Sequence, residues 1–245
     1  SRGSVCSKDP KKVLEEVKKL AEHGFKEIIL SGIHTASYGL DLEGNVNLID
    51  IIDEIEKVEG IERIRIGSIE PAFFTPEVIE KIKGFKKLCP HFHLSLQSGC
   101  DATLKRMNRR YTAEEYAASV ELLRETLPDV SISTDVIVGF PGETEEEFNE
   151  TYKFLERIKL TKTHVFKYSP RKGTKAADMA DQIDGSIKDK RSKLLIELSN
   201  KNATKRLWEV LDSKENSFTV NLPIFIEKIL SLGNGATVEY KDENN

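Results

Sequence analysis

Short apolar strands alternate with amphipathic helices along this chain, repeating about every 35 residues, and this rhythm limits the fold more than any other feature. Residues 26–30, 61–66, 92–96, 131–138 and 163–168 read as strands, with KEIIL and IERIRI among the clearest. Helical spacing fills the gaps at 47–58, 75–82, 112–125 and 143–158. A further helix opens at Ser7-Lys8-Asp9-Pro10 and stops at His23-Gly24, and a long one spans about 187–211. Thr112 and Glu115 have capping-box spacing, which fixes one of these starts. Such alternation implies parallel strands joined by helical crossovers. Two architectures satisfy it: a doubly wound open sheet, or a (β/α) barrel, complete or partial. Both put chemistry at the C-terminal ends of the strands.

The 245 residues suffice for one such domain and a small appendage. With a net charge of −4 the molecule as a whole does not attract nucleic acid, so a polyanionic partner needs a local basic patch. No stretch reaches the ~18 apolar residues of a membrane span, and the start has no secretory pattern. A cytoplasmic protein with no membrane partner is expected. Cys6, Cys89 and Cys100 lack the short spacing of a metal knuckle, and their odd count suits free thiols better than a disulfide framework. No metal ligand is assigned.

The strand ends are unusually polar. The first reads SGIHTASYG with His34, the second GSIEP with Ser68 and Glu70, the third LQSGCD with Gln97 and Ser98. The fourth strand carries Asp135 among apolar neighbours and ends VGFPGET; the fifth ends KYSPRKGT. Gly, Ser, Asp and Pro make turns for local reasons, but five polar ends on one rim suit a polar small molecule and a charged partner. A carboxamide such as Gln97 both donates and accepts. A carboxylate inside a strand, as at Asp135, needs a partner, either a ligand hydroxyl or a nearby Arg. Lys105, Arg106, Arg109 and Arg110 follow the third end, and Arg171, Lys172 and Lys175 the fifth. Lys188, Lys190, Arg191 and Lys193 lie further on. Such cations suit RNA phosphates, which supply affinity and position. Phe73, Phe74, Phe140 and Tyr168 are candidate surfaces for an unstacked base. Met107 and Met179 read as packing.

The segments GIHTASYGLDL (32–42), IGSIEP (66–71), HLSLQSGCDATLKRMNRRYT (93–112), STDVIVGFPGETEEEF (133–148) and HVFKYSPRKGTKAADM (164–179) together resemble the radical S-adenosylmethionine methylthiotransferases, over about residues 2–210. Gly-Ile-His and Ser-Ile-Glu-Pro make the chain most similar to the branch acting on N6-threonylcarbamoyladenosine in tRNA. The fold this implies is α/β: a partial (β/α)6 radical-SAM barrel, here without its first strand, with a C-terminal helix and a short appendage. The resemblance also implies S-adenosylmethionine as cofactor and [4Fe–4S] clusters in the full-length enzyme. The implied partners are a tRNA anticodon stem-loop and a reductant of the flavodoxin or ferredoxin type. The implied reaction is methylthiolation of C2 of the modified adenine. Roles follow by the same resemblance. Gly32 and His34 would meet the cofactor, Gly32 by close backbone approach. Ser68, Glu70, Gln97, Ser98 and Asp135 would bind ribose, amino-acid or substrate groups. Val138, Gly139 and Phe140 would contact adenine. Lys105, Arg106, Arg109, Arg110, Arg171 and Lys172 would bind RNA.

Two features depart from the family. Its cluster-binding cysteine triplet comes just before an Arg-Gly pair like Arg2-Gly3, and no such triplet is present. The chain is therefore expected to be the barrel part of a longer enzyme, to bind no cluster and to be inactive by itself. The tail, 211–245, holds a strand-like stretch at 217–220 and a Gly-Asn-Gly turn at 233–235. Beside a barrel over 1–210 it is expected to be a divergent or truncated RNA-binding β-domain, or disordered. Two other readings stand beside the leading one. One is another branch of the family, acting on isopentenyladenosine tRNA or on a ribosomal protein. The other is a cluster-free barrel that binds S-adenosylmethionine or RNA.

Overall fold

The structure, a computed structural model, describes residues 5–32, 34–44 and 46–213, with side chains described to residue 205. The expectation for 211–245 falls outside the described residues, apart from the end of the last helix.

Five strands form: β1 (Glu27–Leu30), β2 (Arg63–Ile66), β3 (His91–His93), β4 (Ser131–Val138) and β5 (Lys162–Lys167). β1 pairs with β2, β3 with β4 and β4 with β5, all in parallel. The bridges Ile64↔Leu88 and Ile69↔Leu94 join the two groups. Spatial order therefore follows chain order. A doubly wound sheet reverses its winding partway; this one winds in a single direction, as an open partial barrel does.

The helices are α1 (Pro10–Glu22), α2 (Leu48–Glu56), α3 (Pro76–Gly84), α4 (Asp101–Arg106), α5 (Ala113–Thr126), α6 (Glu145–Ile158) and α7 (Gly185–Ser213). Their starts are written in side chains that satisfy free amides. Asp9 accepts from the Lys11 and Lys12 amides, with Pro10 opening α1. Asn47 with Asp50, Thr112 with Glu115 and Thr144 with Glu147 form capping boxes. The Thr144 cap explains why α6 begins at Glu145 and not at 143. Glu143 lies before the cap and turns inward.

Residues alternate between two faces of the sheet. Ile28, Ile64, Ile132, Val136 and Val138 pack into the core with Ile52, Tyr116 and Leu155 of the helices. The opposite, inner face presents Ile29, Arg65, His93, Asp135, His164 and Phe166 in register. Ile29 and Phe166 are 63% and 53% exposed there. A closed eight-stranded barrel fills its interior with side chains; this inner face is open.

The third strand is shorter than its sequence pattern: past His93 the Thr134 hydroxyl donates to the Leu94 carbonyl and accepts from the Leu96 amide, and the chain then turns left-handed at Gln97 (φ 73°) to enter α4. That entry is tight. A Cβ on Gly99 would lie 2.8 Å from Phe154 Cβ on α6. Gly99→Ala is expected to lower the unfolding free energy by about 1–3 kcal/mol in chemical denaturation. An unchanged midpoint would contradict this packing of α4 on α6.

Candidate functional site at the strand tips

The five strand ends meet through a row of direct contacts. His34 Nδ1 lies 3.7 Å from Glu70 Oε1, linking the first end to the second. The Ile69 amide donates to the His93 carbonyl at 2.9 Å, and the Ser95 amide to the Ile69 carbonyl at 3.1 Å, linking second to third. The Gln97 amide donates to the Asp135 carbonyl at 2.8 Å, and the Ile137 amide to the Gln97 carbonyl at 2.9 Å. The Tyr168 amide donates to the Val138 carbonyl at 2.9 Å. Its ring stands edge-on to Phe140, with centroids 5.3 Å apart. The polar ends thus share one rim.

Gly32, His34, Ser68 and Glu70 lie at the accessible end of this rim. A cavity of about 620 Å³ opens beside β1 and is lined by Ile28, Leu30, Gly32, His34 and Tyr38, among others. Gly32 needs no special backbone freedom, since a Cβ there would meet only Thr35 Oγ1 at an ordinary 3.6 Å. Gln97 is different. It is a non-glycine residue in the left-handed region, a conformation that costs about 1–2 kcal/mol. It is 9% exposed. Its carboxamide bonds no other described residue, leaving both a donor and an acceptor at the tip. Strain of this kind collects at ligand sites.

Several expected ligand residues belong to the scaffold instead. Ser98 is fully buried, its hydroxyl shared between Thr151 Oγ1 (3.1 Å) and the Cys100 amide (3.2 Å). Val138 is fully buried on the core face, so only its backbone reaches the rim. Phe140 is enclosed against Tyr168, and Phe74 packs edge-on to Phe92 in the core. Gly139 is held by its amide, which donates to Glu143 Oε2 at 2.7 Å. A Cβ there would collide with Lys188 Cγ. Glu143 in turn is buried with Arg191, whose Nη1 donates to Oε2 at 2.7 Å. Burial pushes the Glu143 carboxyl up, opposed by the Gly139 amide and Arg191.

The cationic run divides the same way. Arg106 is half-buried and gives both Nη atoms to Glu147, one at 2.8 Å, the other to Oε2. It ties α4 to the start of α6 and is not offered to RNA. Charge attraction and hydrogen bonding do not constrain the others. Lys105, Arg109, Arg110, Arg171 and Lys172 make no ion pair among the described residues, and all but the partly covered Arg109 are exposed. The Tyr111 hydroxyl donates to the Leu96 carbonyl at 3.0 Å and anchors the turn carrying Arg109 and Arg110. Burial, opposed by Arg109 and helped slightly by Glu70, drives its pKa up to about 12.

The inner-face histidines were not legible as a group. His93 Nδ1 lies 3.0 Å from Ser133 Oγ and Nε2 lies 3.4 Å from Asp135 Oδ2. Its ring centroid is 5.9 Å from that of His164. Burial, reinforced by Arg65 and His93, pushes neighbouring His91 down. The protein neighbour of Asp135 is therefore a histidine and not an arginine, one of the two partners, with a ligand hydroxyl, that its place in the strand suggested. The one available signal was that His93 and His164 both alternate with core residues in their strands.

Cys6, Cys89 and Cys100 are free thiols. Among the described residues no group of three His, Cys, Asp or Glu side chains is arranged to hold a metal, so an iron–sulfur cluster finds no ligand set there. A nucleoside does fit the donor set, which offers the Asp135 carboxylate on the open inner face and the Gln97 carboxamide at the tip.

Residues 2–155 match the model of the radical SAM superfamily. The chain belongs to that superfamily. Its members use S-adenosylmethionine with a [4Fe–4S] cluster. Threonylcarbamoyladenosine tRNA methylthiotransferase MtaB of Bacillus subtilis (strain 168) is 46% identical over 200 residues, covering 82% of this chain and 44% of that protein. A tRNA-2-methylthio-N(6)-dimethylallyladenosine synthase of Thermoanaerobacter pseudethanolicus is 43% identical over 201 residues, covering 82% and 43%. The chain thus spans under half the length of these relatives. Coproporphyrinogen III oxidase (HemN) of Escherichia coli shares the fold with a TM-score of 0.58 at 18% identity, covering 79% of this chain and 46% of that one. Elp3 of Methanocaldococcus infernus does so at 0.52 and 14%, covering 78% and 50%.

Two predictions test the site's construction. Gln97→Gly should be more stable than Gln97→Ala by about 1 kcal/mol, because only glycine relieves the left-handed backbone; equal stabilities would remove the strain. Arg106 holds the Glu147 carboxyl below its usual range. A carboxyl depressed in the folded state stabilises above its unfolded pKa and loses that contribution as pH falls through the folded value. Arg106→Ala should therefore destabilise clearly at pH 7 and much less near pH 2–3, in parallel urea titrations. An equal loss at both pH values would show that the ion pair contributes nothing.

Proposed function

We propose that this chain is the core barrel of a tRNA methylthiotransferase that modifies C2 of N6-threonylcarbamoyladenosine. The observation that carries this is the identity to tRNA methylthiotransferases over 82% of the chain. Two rim features support the threonylcarbamoyl branch. The sequence at the first two ends resembles that branch, and His34 and Glu70 from those ends stand together. A polar, ionisable pair suits a base bearing a carboxylate and a hydroxyl better than one bearing an apolar isopentenyl group.

S-adenosylmethionine, when bound, supplies the radical-generating sulfonium. The chain's own residues seat and orient it: Gln97 offers a donor and an acceptor at the tip, Asp135 an acceptor on the inner face, and Gly32 exposed backbone. Lys105, Arg109 and Arg110, with Arg171 and Lys172 across the mouth, neutralise phosphates of the anticodon stem-loop and bring the modified base over the rim. A flavodoxin- or ferredoxin-type reductant and a cytoplasmic setting belong to the same reading, as does a barrel over 1–210 with a separate appendage over 211–245. Among the described residues no helix is long and apolar enough to cross a membrane.

Replacing Lys105, Arg109 and Arg110 by Glu should weaken stem-loop binding by roughly tenfold or more and reduce the slope of log K against log salt by about three. Arg106→Glu should instead lower the melting temperature. Stem-loops carrying threonylcarbamoyladenosine should bind more tightly than those carrying isopentenyladenosine. Unchanged affinity in the triple variant would remove RNA from this rim, and the reverse preference would assign the chain to the isopentenyl branch.

A further inference from the structure

The parallel register of β3, β4 and β5 places His93 beside Ser133 and Asp135 beside His164 on the open inner face. His93 is engaged at both ring nitrogens, by Ser133 Oγ at 3.0 Å and Asp135 Oδ2 at 3.4 Å. Ser133 is buried, and the His93 side chain is 17% exposed. The tautomer in which Nδ1 accepts the Ser133 hydroxyl proton leaves Nε2–H facing the carboxylate. Asp135 is one-third exposed, and its Oδ1 bonds no other described residue. The same residue's carbonyl holds the strained Gln97 amide. A free carboxylate oxygen thus sits two residues below the tip, on the open inner face.

We propose that His93 is a positioning residue: it aims Asp135 at the vicinal hydroxyls of a ribonucleoside bound over the inner face. This rests on the nucleoside-binding reading above and adds the residue that orients the acceptor. A carboxylate oxygen that accepts from ribose hydroxyls must be held in one place, and a free Asp side chain spreads over several rotamers. The Ser133–His93–Asp135 row removes that freedom before the ligand arrives. Phe166, exposed on the same face of the adjoining strand and level with Ile137, supplies the apolar wall beside it. Such a ligand has two sources: the adenosine of the cofactor, or a nucleotide of the RNA.

The test uses the whole chain, uniformly labelled with ¹⁵N, and two probes, S-adenosyl-L-homocysteine and an unmodified anticodon stem-loop. His93 should show the Nε2–H tautomer, and one of the probes should shift its signals; which probe does so identifies the source. His93→Ala should weaken that probe about tenfold, with the melting temperature unchanged. His93→Gln, whose carboxamide nitrogen can take the place of Nε2, should recover most of the affinity, whereas His93→Asn, which reaches only toward Ser133, should not. In an Asp135→Ala background, His93→Ala should add nothing. If the probes shift signals at Gln97 and the tip but leave His93 unmoved, or if the Gln and Ala variants bind alike, the positioning role falls and the nucleoside reading stands. If neither probe shifts any rim signal, both fall. The tautomer and the probe shifts are read on the unsubstituted chain, so they decide the matter even where a variant fails to fold.

Discussion

Parallel pairing of five strands in chain order is the constraint on which everything else depends. In parallel pairs the register fixes which residues share a face. It puts isoleucine and valine toward the helices and leaves Asp135, His93 and His164 facing the open side. It also brings every C-terminal end to the same edge. The contacts from His34 to Glu70, from Ile69 to His93, from Gln97 to Asp135 and from Val138 to Tyr168 follow from that one arrangement. A slip of one residue at β4 would exchange its two faces and bury the carboxylate without a partner.

Charge at this edge does two separate jobs. Buried or half-buried pairs hold the scaffold: Arg106 with Glu147 fixes α4 on α6, and Arg191 with Glu143 fixes the turn after β4 to α7. Desolvated ions of this kind are costly unless paired, which is why each has its carboxylate. The exposed cations Lys105, Arg110, Arg171 and Lys172 carry no such duty and remain available to a polyanion. A chain with a net charge of −4 can therefore still present a positive lip.

How much of this the sequence disclosed follows from what sequence spacing can encode. β4 was legible to its last residue because eight residues of strand pattern leave little freedom, and the Thr112–Glu115 capping box was legible because it is local. The family and the barrel were legible because long motifs recur in a fixed order. Pairing across the fold was not. Nothing in the run from Lys105 to Arg110 says that only Arg106 has a carboxylate waiting 41 residues away on α6. Nothing in LQSG says that Ser98 turns in toward Thr151 while Gln97 takes a left-handed backbone. The histidines escaped because a strand's open face is known only once its neighbours are in place.

Ultraviolet cross-linking of an anticodon stem-loop to the chain, with S-adenosyl-L-homocysteine present and cross-linked peptides located by mass spectrometry, tests the single working edge most directly. Cross-links should concentrate in residues 97–111 and 164–175, the third and fifth ends with the strands that lead to them. Cross-links confined to the outer surfaces of α1, α2 and α3 would contradict it.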